Sequence, residues 1–373
     1  MSPATPSKVY FTDMRCQIGD SLLAKLQRVA RVAGLEDIDM DGRFVAIKMH
    51  FGESGNLSFL RPNYARAVAD MVRAKGGVPF LTDCNTLYVG TRKNAVEHLD
   101  TAYANGFSPL STGCQVIIAD GLRGDDDIEV PIDGEYVRSA KIGRAVADAD
   151  VMITLSHFKL HEQAGFGSAL KNLSMGCGSR RGKMEMHSAG TPAVIADRCR
   201  GCHRCTGFCA QSAIVVEDGR ARIDAAECVG CGRCISTCPF DAIESLYDES
   251  ADVLNAKIVE YAMAAVKGKE CLHISVICDV SPFCDCHGEN DVPVVPNVGI
   301  LASRDPVALD MACIDLVQQQ PMVPGSALWT ASGGSKPDDV FKCVHPNTRW
   351  QSTFEHASKL GFGSSEYSLV KVR

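Results

Sequence analysis

Short apolar runs alternate with segments of helical periodicity along the first half of the chain. In the helical segments, apolar residues recur three or four positions apart, and glycine or proline marks several of their ends. The apolar runs have the length of buried strands and fall at residues 9–12, 44–49, 78–81, 116–119 and 151–155. This alternation predicts an α/β fold whose parallel sheet is covered by helices on both faces.

The same pattern returns in the last third of the chain. A helix is predicted at about residues 251–266, strands at 272–277 and 298–302, and a further helix begins at Asp305-Pro306, an N-cap carboxylate followed by proline. The tail is expected to be mostly irregular apart from one helix near residues 349–360.

The two α/β segments are separated by a stretch that is rich in cysteine. We therefore predict an α/β part at residues 1–190, an insert at 191–247 and a second α/β part at 248–373. The two α/β parts form either one discontinuous domain or two separate domains, and the sequence leaves both open. Ligands of parallel sheets bind beyond the carboxyl ends of strands, so the loops after residues 49, 82 and 155 are the expected cleft.

Composition narrows the class of protein. The 373 residues are 46% hydrophobic and 22% charged, which is typical of a chain with a buried core and excludes disorder. No apolar run approaches the ~18 residues of a membrane span. Residues 1–8 lack the apolar segment of a secretory signal. A net charge of −7 gives no basic surface for nucleic acid. The 18 cysteines then indicate metal chemistry in a reducing cytoplasm.

Eight of these cysteines form a tandem repeat with identical internal spacing. In each run, three cysteines lie three positions apart and a fourth follows after three residues. This spacing favours a cubane [4Fe–4S] cluster, which three cysteines can hold on one side while the fourth comes from elsewhere. The alternative is a pair of structural zinc sites, although zinc ribbons favour two CxxC pairs with a longer loop between them. The repeat comprises Cys199, Cys202, Cys205, Cys209, Cys228, Cys231, Cys234 and Cys238.

Residues 193–246 resemble the bacterial two-cluster ferredoxins, an α+β module. In that family the fourth cysteine of each run serves the other cluster. The resemblance therefore implies that Cys199, Cys202, Cys205 and Cys238 hold one [4Fe–4S] cluster and that Cys228, Cys231, Cys234 and Cys209 hold the second. The two clusters would add roughly −4 to the charge of the chain, which suits docking to a basic redox partner protein.

Several histidines and lysines follow the strand predicted at residues 151–155 within a short stretch of sequence. His157, His161, Lys171 and His187 are candidate site residues, and His50 and Asn56 follow a neighbouring strand. Arg180, Arg181 and Lys183 would add a positive edge for a small anionic substrate. The alternative is that the histidines only cap strand ends and the lysines are solvated. The loop at residues 50–56 is likewise either a cradle for an anion or a plain turn.

Nearly the whole chain resembles a domain-of-unknown-function family that often carries a two-cluster ferredoxin insert. The resemblance implies no reaction. The matching stretches are residues 48–56, 161–176, 284–286, 298–310 and 361–367.

A more distant resemblance links the α/β body to the lactate racemase family. The spacing of His161, Ala164-Gly165-Phe166, Lys171 and His187 matches a segment of that family. The resemblance implies a nickel-pincer nucleotide attached to Lys171, nickel ligation by His187, and His161 as a catalytic base. The family's other catalytic histidine is absent, because residues 83–86 read Asp-Cys-Asn-Thr here.

A further group of polar residues follows the strand at 272–277. Cys278, Cys284, Cys286, His287 and Asp291 either bind a metal or a third redox centre, or the cysteines serve as small apolar core residues.

The sequence thus predicts a cytoplasmic iron–sulfur oxidoreductase that passes electrons between two [4Fe–4S] clusters and a site in the α/β body. Lys171 would be a covalent anchor or anion clamp, His161 a proton donor and His157 a further catalytic residue. His50, Asn56 and His187 would bind a cofactor or substrate. The alternatives are an isomerase or racemase with a nickel-pincer cofactor, and a pure electron carrier.

Overall fold

The computed structural model describes residues 6–88, 90–187 and 191–373. The prediction that residues 1–8 lack a secretory signal falls partly on residues 1–5, which lie outside the described residues. The predicted boundary at residue 190 lies outside them as well.

Sixteen strands occur in the described residues. They are β1 (Ser7–Asp13), β2 (Phe44–Lys48), β3 (Val78–Asp83), β4 (Gln115–Ile118), β5 (Asp127–Pro131), β6 (Ser139–Gly143), β7 (Val151–His157), β8 (Lys159–His161), β9 (Gly165–Gly167), β10 (Ala193–Val194), β11 (Ile214–Glu217), β12 (Arg220–Ile223), β13 (Ile243–Glu244), β14 (Glu270–Ile277), β15 (Gly299–Ser303) and β16 (Tyr367–Lys371).

Fourteen α-helices occur in the same residues, together with a 3₁₀ turn at Leu35–Asp37. They are α1 (Leu22–Val32), α2 (Pro62–Ala74), α3 (Ala95–Ala104), α4 (Pro109–Thr112), α5 (Arg144–Asp148), α6 (Ala169–Ser174), α7 (Arg180–His187), α8 (Arg204–Phe208), α9 (Arg233–Thr237), α10 (Ala251–Val266), α11 (Pro306–Gln319), α12 (Ala327–Ala331), α13 (Val340–Val344) and α14 (Gln351–Leu360). None of them has the length and apolar character that crossing a bilayer requires.

The centre of the fold is an eight-stranded sheet with the order β16-β1-β15-β14-β7-β2-β3-β4. The predicted α/β class with a mainly parallel sheet is confirmed. All seven predicted strands belong to this sheet. The sheet contains strands from both sides of the cysteine-rich segment, whereas the predicted domain boundaries stay a prediction.

One strand runs against the others. β15 pairs antiparallel with both β1 and β14, so the sheet departs from the parallel arrangement at this one position among the described strands. The reason lies in the connection, because residues 278–298 between β14 and β15 contain no helix. A parallel neighbour would need a crossover, usually helical, whereas an antiparallel neighbour can follow a loop.

Helices cover both faces of the sheet. On one face, α1 and α2 bury Leu26, Val29 and Val68 against strand residues such as Ile153. On the other face, α6, α10 and α11 pack in a second cluster. The predicted cap at Asp305 is confirmed, since its carboxylate accepts the backbone N–H groups of Val307 and Ala308 at the start of α11.

The tail is more regular than predicted. It contains α12, α13 and α14, and its last strand, β16, pairs parallel with β1 at the edge of the sheet. This strand is only half buried, so its apolar pattern is weak and the sequence did not reveal it.

Candidate functional site

A cavity of about 630 Å³ opens at the carboxyl ends of strands β2, β3, β7 and β14. The loops that follow parallel strands converge at this edge, as the sequence analysis expected. The structure brings five predicted site residues to the cavity wall, namely His50, His157, His161, Lys171 and His187. Asn56 is buried but does not line the cavity.

A lysine and a cysteine form a contact inside the cavity. Lys171 Nζ donates to Cys284 Sγ at 3.5 Å. The hydrogen bond from Cys286 and the nearby charge of Lys171 hold the pKa of Cys284 well below its usual range, although burial raises it. Burial in turn lowers the pKa of Lys171, but the adjacent Cys284 and Cys286 sulphurs outweigh burial and raise it. The arrangement favours a thiolate at Cys284 beside an ammonium group.

The backbone selects the tautomer of His161. Its Nδ1 accepts the N–H groups of Gln163 and Ala164, both at 3.1 Å, so in the neutral ring the proton lies on Nε2. The ring is in hydrogen-bonding contact with Cys284. His161 is therefore oriented as a donor toward the thiolate. His50 is fixed in a similar way, because its Nδ1 accepts from Gly52 N–H at 3.0 Å. Burial holds the pKa of His50 well below its usual range.

Four polar atoms of residues that line the cavity are enclosed and have no hydrogen-bond partner among the described residues. They are Thr86 Oγ1, Glu162 Oε2, His187 Nδ1 and the Tyr247 hydroxyl. Burial and the nearby Lys171 lower the pKa of His187 to about 3, so the ring is neutral and one of its nitrogens can accept a hydrogen bond. Buried polar groups normally have partners, and four unsatisfied atoms around one cavity point to a bound ligand.

Both ring nitrogens of His157 have hydrogen-bonding partners. Its Nδ1 contacts the Asp285 carboxylate at 2.9 Å and its Nε2 contacts the Cys278 carbonyl oxygen at 2.7 Å. Both partners accept, because His157 and Lys159 hold the pKa of the buried Asp285 carboxyl well below its usual range. Lys159 Nζ contacts the same carboxylate at 2.8 Å. His157 therefore anchors the loop of Asp285 through contacts at both ring nitrogens.

Further buried charged side chains line the cavity at the carboxyl ends of β2 and β3. Asp83 pairs with Lys48 Nζ at 3.0 Å and with Arg92 at 3.3 Å, and Arg92 reaches Glu53 at 3.2 Å. Lys183 Nζ also lines the cavity, where it donates to the neutral Gly178 carbonyl oxygen at 2.6 Å. Its charge can therefore attract an anionic ligand.

The expected positive edge is smaller than the sequence suggested. Arg180 is buried and donates to carbonyl oxygens, including that of Thr86 at 2.8 Å. Arg181 is bound to Asp127 by two of its nitrogens. Of the three basic residues expected there, only Lys183 lines the cavity.

Asn56 connects the loop after β2 with the loop after β14. Its Nδ2 donates to the His287 carbonyl oxygen at 2.9 Å, and its Oδ1 accepts from Ser58 N–H and Oγ. The backbones of the two loops are close, since a Cβ built on Gly288 would lie 2.6 Å from the Ser54 oxygen. Asn56 therefore acts on the site through His287 and not by contacting a ligand.

Asp310 positions the helix that carries Lys171. Its carboxylate accepts the N–H groups of Ala169 and Leu170 at the start of α6, both at 2.9 Å. The Asp310 side chain is fully buried, and burial raises its pKa to about 7. Asp310 does not line the cavity and acts on it through α6.

Four thiols of the cysteine repeat surround a second, much smaller cavity, and they belong to both runs. They are Cys199, Cys202, Cys205 and Cys238. Backbone N–H groups donate to several of the sulphurs, for example Ala221 to Cys199 and Ala242 to Cys238, each at 3.3 Å. Among the described residues, which include all eight cysteines, no three of these thiols lie within 4.8 Å of one another.

The cysteine-rich segment shares wall residues with the large cavity. Leu87 and Tyr247 line the cavity and also pack in the hydrophobic cluster of the segment, together with Cys205 and Cys238. The Tyr247 ring contacts the edge of the His187 ring, with centroids 5.1 Å apart. Ion pairs fasten the segment to the body, such as Lys93–Asp241 at 2.6 Å.

The fold and the cavity define an α/β protein with a ligand site at the carboxyl edge of its sheet and a cysteine-rich segment beside it. The chain belongs to the DUF362 family, described as a domain of unknown function, whose model matches residues 45–315. The family resemblance stated from the sequence is thereby confirmed.

A curated relative is the thylakoid-associated protein sll1697 of Synechocystis, which is 28% identical over 161 residues, or 42% of this chain and 46% of the relative. The chain thus spans about half the length of the curated relative it matches. Solved structures that are similar to this chain include the lactate racemase apoprotein of Thermoanaerobacterium thermosaccharolyticum, which is 13% identical with a TM-score of 0.36. The match covers 73% of this chain and 51% of that chain. A Thermotoga maritima protein gives 11% identity and a TM-score of 0.37 over 68% and 50%. Scores this low support no inference about this chain.

Several residues that line the cavity were not predicted from the sequence as site residues. Glu162 follows His161 directly, and its position next to a candidate histidine was the available signal. Tyr247 lies at the end of the cysteine-rich segment, where no local pattern marks it. Lys48, Asp83 and Arg92 are distant in sequence and meet only because β2 and β3 are neighbours in the sheet.

Proposed function

We propose that the chain is an iron–sulfur oxidoreductase in which two [4Fe–4S] clusters exchange electrons with a small anionic substrate in the large cavity. The proposal rests on one observation above all, namely that Leu87 and Tyr247 belong both to the cavity wall and to the hydrophobic cluster of the cysteine segment. A pure electron carrier would have no need of a cavity of about 630 Å³ with unsatisfied polar atoms.

The thiols are compatible with cubane clusters. The cavity among Cys199, Cys202, Cys205 and Cys238 corresponds to the first cluster that the ferredoxin resemblance implies. Zinc bound tetrahedrally at ~2.3 Å would bring its sulphurs to about 3.8 Å from one another, closer than any three of these thiols lie. The remaining four cysteines, Cys209, Cys228, Cys231 and Cys234, would hold the second cluster. The clusters supply electrons one at a time.

The residues of the body would bind the substrate and supply its proton. Lys183 and Lys171 provide positive charge for a carboxylate or phosphate. His161 carries its proton on Nε2 and would donate it, whereas His187 Nδ1, which has no partner among the described residues, would be available to accept a hydrogen bond from the ligand. His157 and His50 orient the wall, and Asn56 positions His287. The 18 cysteines suit a reducing cytoplasmic setting, and the net charge of −7 suits a basic redox partner protein.

The second candidate is an isomerase or racemase with a nickel-pincer nucleotide on Lys171. One observation favours it, since Lys171, His161 and His187 lie at one cavity as the spacing implied. Here His187 Nδ1 would be free to ligate nickel and Lys171 would be the attachment point. In the structure, however, Lys171 Nζ donates to Cys284.

Metal analysis of anaerobically purified protein, from a host able to make the nickel cofactor, distinguishes the two. The oxidoreductase predicts about eight irons per chain, no nickel and no mass adduct on Lys171. Stoichiometric nickel with an adduct would favour the second candidate, and fewer than about four irons would contradict both clusters.

Electron transfer to a substrate is tested by mixing the dithionite-reduced protein with small 2-oxoacids, whose keto group can take up electrons and protons, and following cluster reoxidation by absorbance. An active acceptor should reoxidise the wild type and the Cys343→Ser control, in which a cysteine that does not line the cavity is changed, but Lys183→Met much more slowly. Equal rates in all three proteins would exclude a role for the cavity.

A further inference from the structure

Three potential metal ligands meet at the rim of the large cavity. One ligand atom each of Glu162, Cys286 and His287 lies within 4.8 Å of the other two. Glu162 follows β8, whereas Cys286 and His287 belong to the loop after β14, so the fold assembles the group from distant parts of the chain. All three residues line the cavity.

The chemistry of these ligands is specific. Thiolate sulphur, imidazole nitrogen and carboxylate oxygen together are the ligands of zinc and related borderline divalent ions. Structural zinc sites use four protein ligands, whereas catalytic sites use three and leave the fourth position to water or substrate. A group of three ligands at a cavity rim fits the second kind.

A plain ion pair explains only part of the group. His287 Nε2 and Glu162 Oε1 lie 2.7 Å apart and would attract each other without any metal. That pair does not account for Glu162 Oε2, which is enclosed and has no hydrogen-bond partner among the described residues. A cation would satisfy all three residues.

The loop that supplies two of the ligands is held on both sides. Asp285, between the two cysteines, is buried against His157 and Lys159, and its backbone oxygen accepts from Glu53 N–H at 3.0 Å. Asn56 holds the His287 carbonyl oxygen from the opposite loop. Such outer contacts fix the ligands of metal sites before the ion arrives.

We propose that Glu162, Cys286 and His287 bind one divalent ion of the zinc class, with the fourth coordination position open to the cavity. Cys284 stays beside this ion, paired with Lys171. The ion would bind an anionic oxygen of a ligand in the cavity. The proposal does not depend on the iron–sulfur clusters, whose cysteines are all outside this group.

The test uses the full-length, cluster-loaded protein under anaerobic conditions. The protein is incubated with Zn²⁺ and dialysed against a weak chelator, and its zinc and iron are measured separately. A Co²⁺ titration then reports thiolate–cobalt charge-transfer absorption. The variants are Cys286→Ser and His287→Gln. His287 is half exposed, so its replacement leaves folding intact. The matched controls are Glu289→Gln, which alters another carboxylate of the same cavity, and Cys343→Ser, which alters a cysteine that does not line the cavity.

The wild type and both controls should retain about one zinc per chain and develop the cobalt band. The two ligand variants should lose both signals, with affinity reduced by more than the ~10–100-fold that outer-contact changes cause. Their iron content should be unchanged, so failure of the cluster proposal would be seen separately as low iron in every protein. Zinc retention equal in the His287→Gln variant and the wild type, or no cobalt band in the wild type, would overturn the proposal.

Discussion

The Lys171 ammonium donates to the Cys284 sulphur across 3.5 Å, inside a cavity whose other walls carry histidines and carboxylates. Lys171 comes from α6 and Cys284 from the loop after β14, so the pair unites segments that lie on opposite sides of the cysteine-rich segment. A thiolate held by an ammonium group is a reactive nucleophile and also a soft metal ligand.

Replacement of Lys171 should make Cys284 less reactive. In Lys171→Met the thiolate loses its cationic partner, so the pKa of Cys284 rises and the thiolate fraction at neutral pH falls. Each unit of that rise slows alkylation by about tenfold while the thiol form predominates. Alkylation by iodoacetamide, followed by peptide mass spectrometry across pH, measures the shift. Cys343 in the same protein is the internal control. An unchanged pH profile of Cys284 would show that Lys171 does not stabilise the thiolate.

Asp310 should give stability a distinctive dependence on pH. Its folded pKa of about 7 lies above its ordinary value of 3.8, so the folded state holds the proton more tightly than the unfolded state. The contribution is complete below the ordinary pKa and is lost as pH rises through about 7. Asp310→Asn removes this dependence. Its free energy of unfolding, relative to wild type, should therefore rise by ~2–3 kcal/mol from about pH 5 to about pH 8.

Chemical denaturation at several pH values measures that difference. Asp305→Asn is the control. Asp305 caps the same helix, α11, but its carboxylate is only partly buried. A relative stability of Asp310→Asn that stays constant with pH would mean that the buried carboxyl is ionised throughout.

Asn56 should matter for stability and for the geometry of the loop after β14. Asn56→Ala leaves the His287 carbonyl oxygen and Ser58 N–H without their partner, which costs ~1–3 kcal/mol. Ser58→Ala removes only the hydroxyl contact and should cost less. Urea unfolding compares the two variants. Equal stability of Asn56→Ala and wild type would show that the contact between the loops is not maintained in solution.

The cysteine pairing predicts which substitutions act together. Cys205→Ser and Cys238→Ser should impair the same cluster although they belong to different runs, whereas Cys209→Ser should impair the other. Electron paramagnetic resonance of the reduced variants distinguishes the clusters, and each variant should retain about four irons. Loss of the same signal in Cys205→Ser and Cys209→Ser would indicate that each run serves its own cluster.

The strand and helix pattern was sufficient to predict the α/β class, seven strands of the central sheet and the edge at which the cavity lies. These features depend on local periodicity, which short buried runs such as Val151–His157 express strongly. The direction of β15 and the presence of β16 depend on long-range pairing, and no local signal in the sequence determines either of them.

The candidate site was predicted only in part, again because the sequence shows local groups of residues but not their long-range contacts. His157, His161, Lys171 and His187 are close in sequence and could be recognised as one group. Their different roles follow from partners elsewhere in the chain, such as Asp285 for His157 and Cys284 for Lys171. Asn56 was expected at the ligand, but its partner is a backbone carbonyl that only the fold brings near.

The order of strands in the sheet has a consequence for biosynthesis. The neighbours of β1 are β15 and β16, so β1 is synthesised before the other strands of this sheet but pairs with the two that are synthesised after all the others. Strands β2, β3, β4 and β7 can pair with one another while the ribosome is still translating. The chain must then hold β1 unpaired until residues 299–371 have emerged. Loop closure over such a span is slow. An unpaired strand is also open to wrong partners during that interval, so we expect the nascent protein to depend on chaperones at this stage.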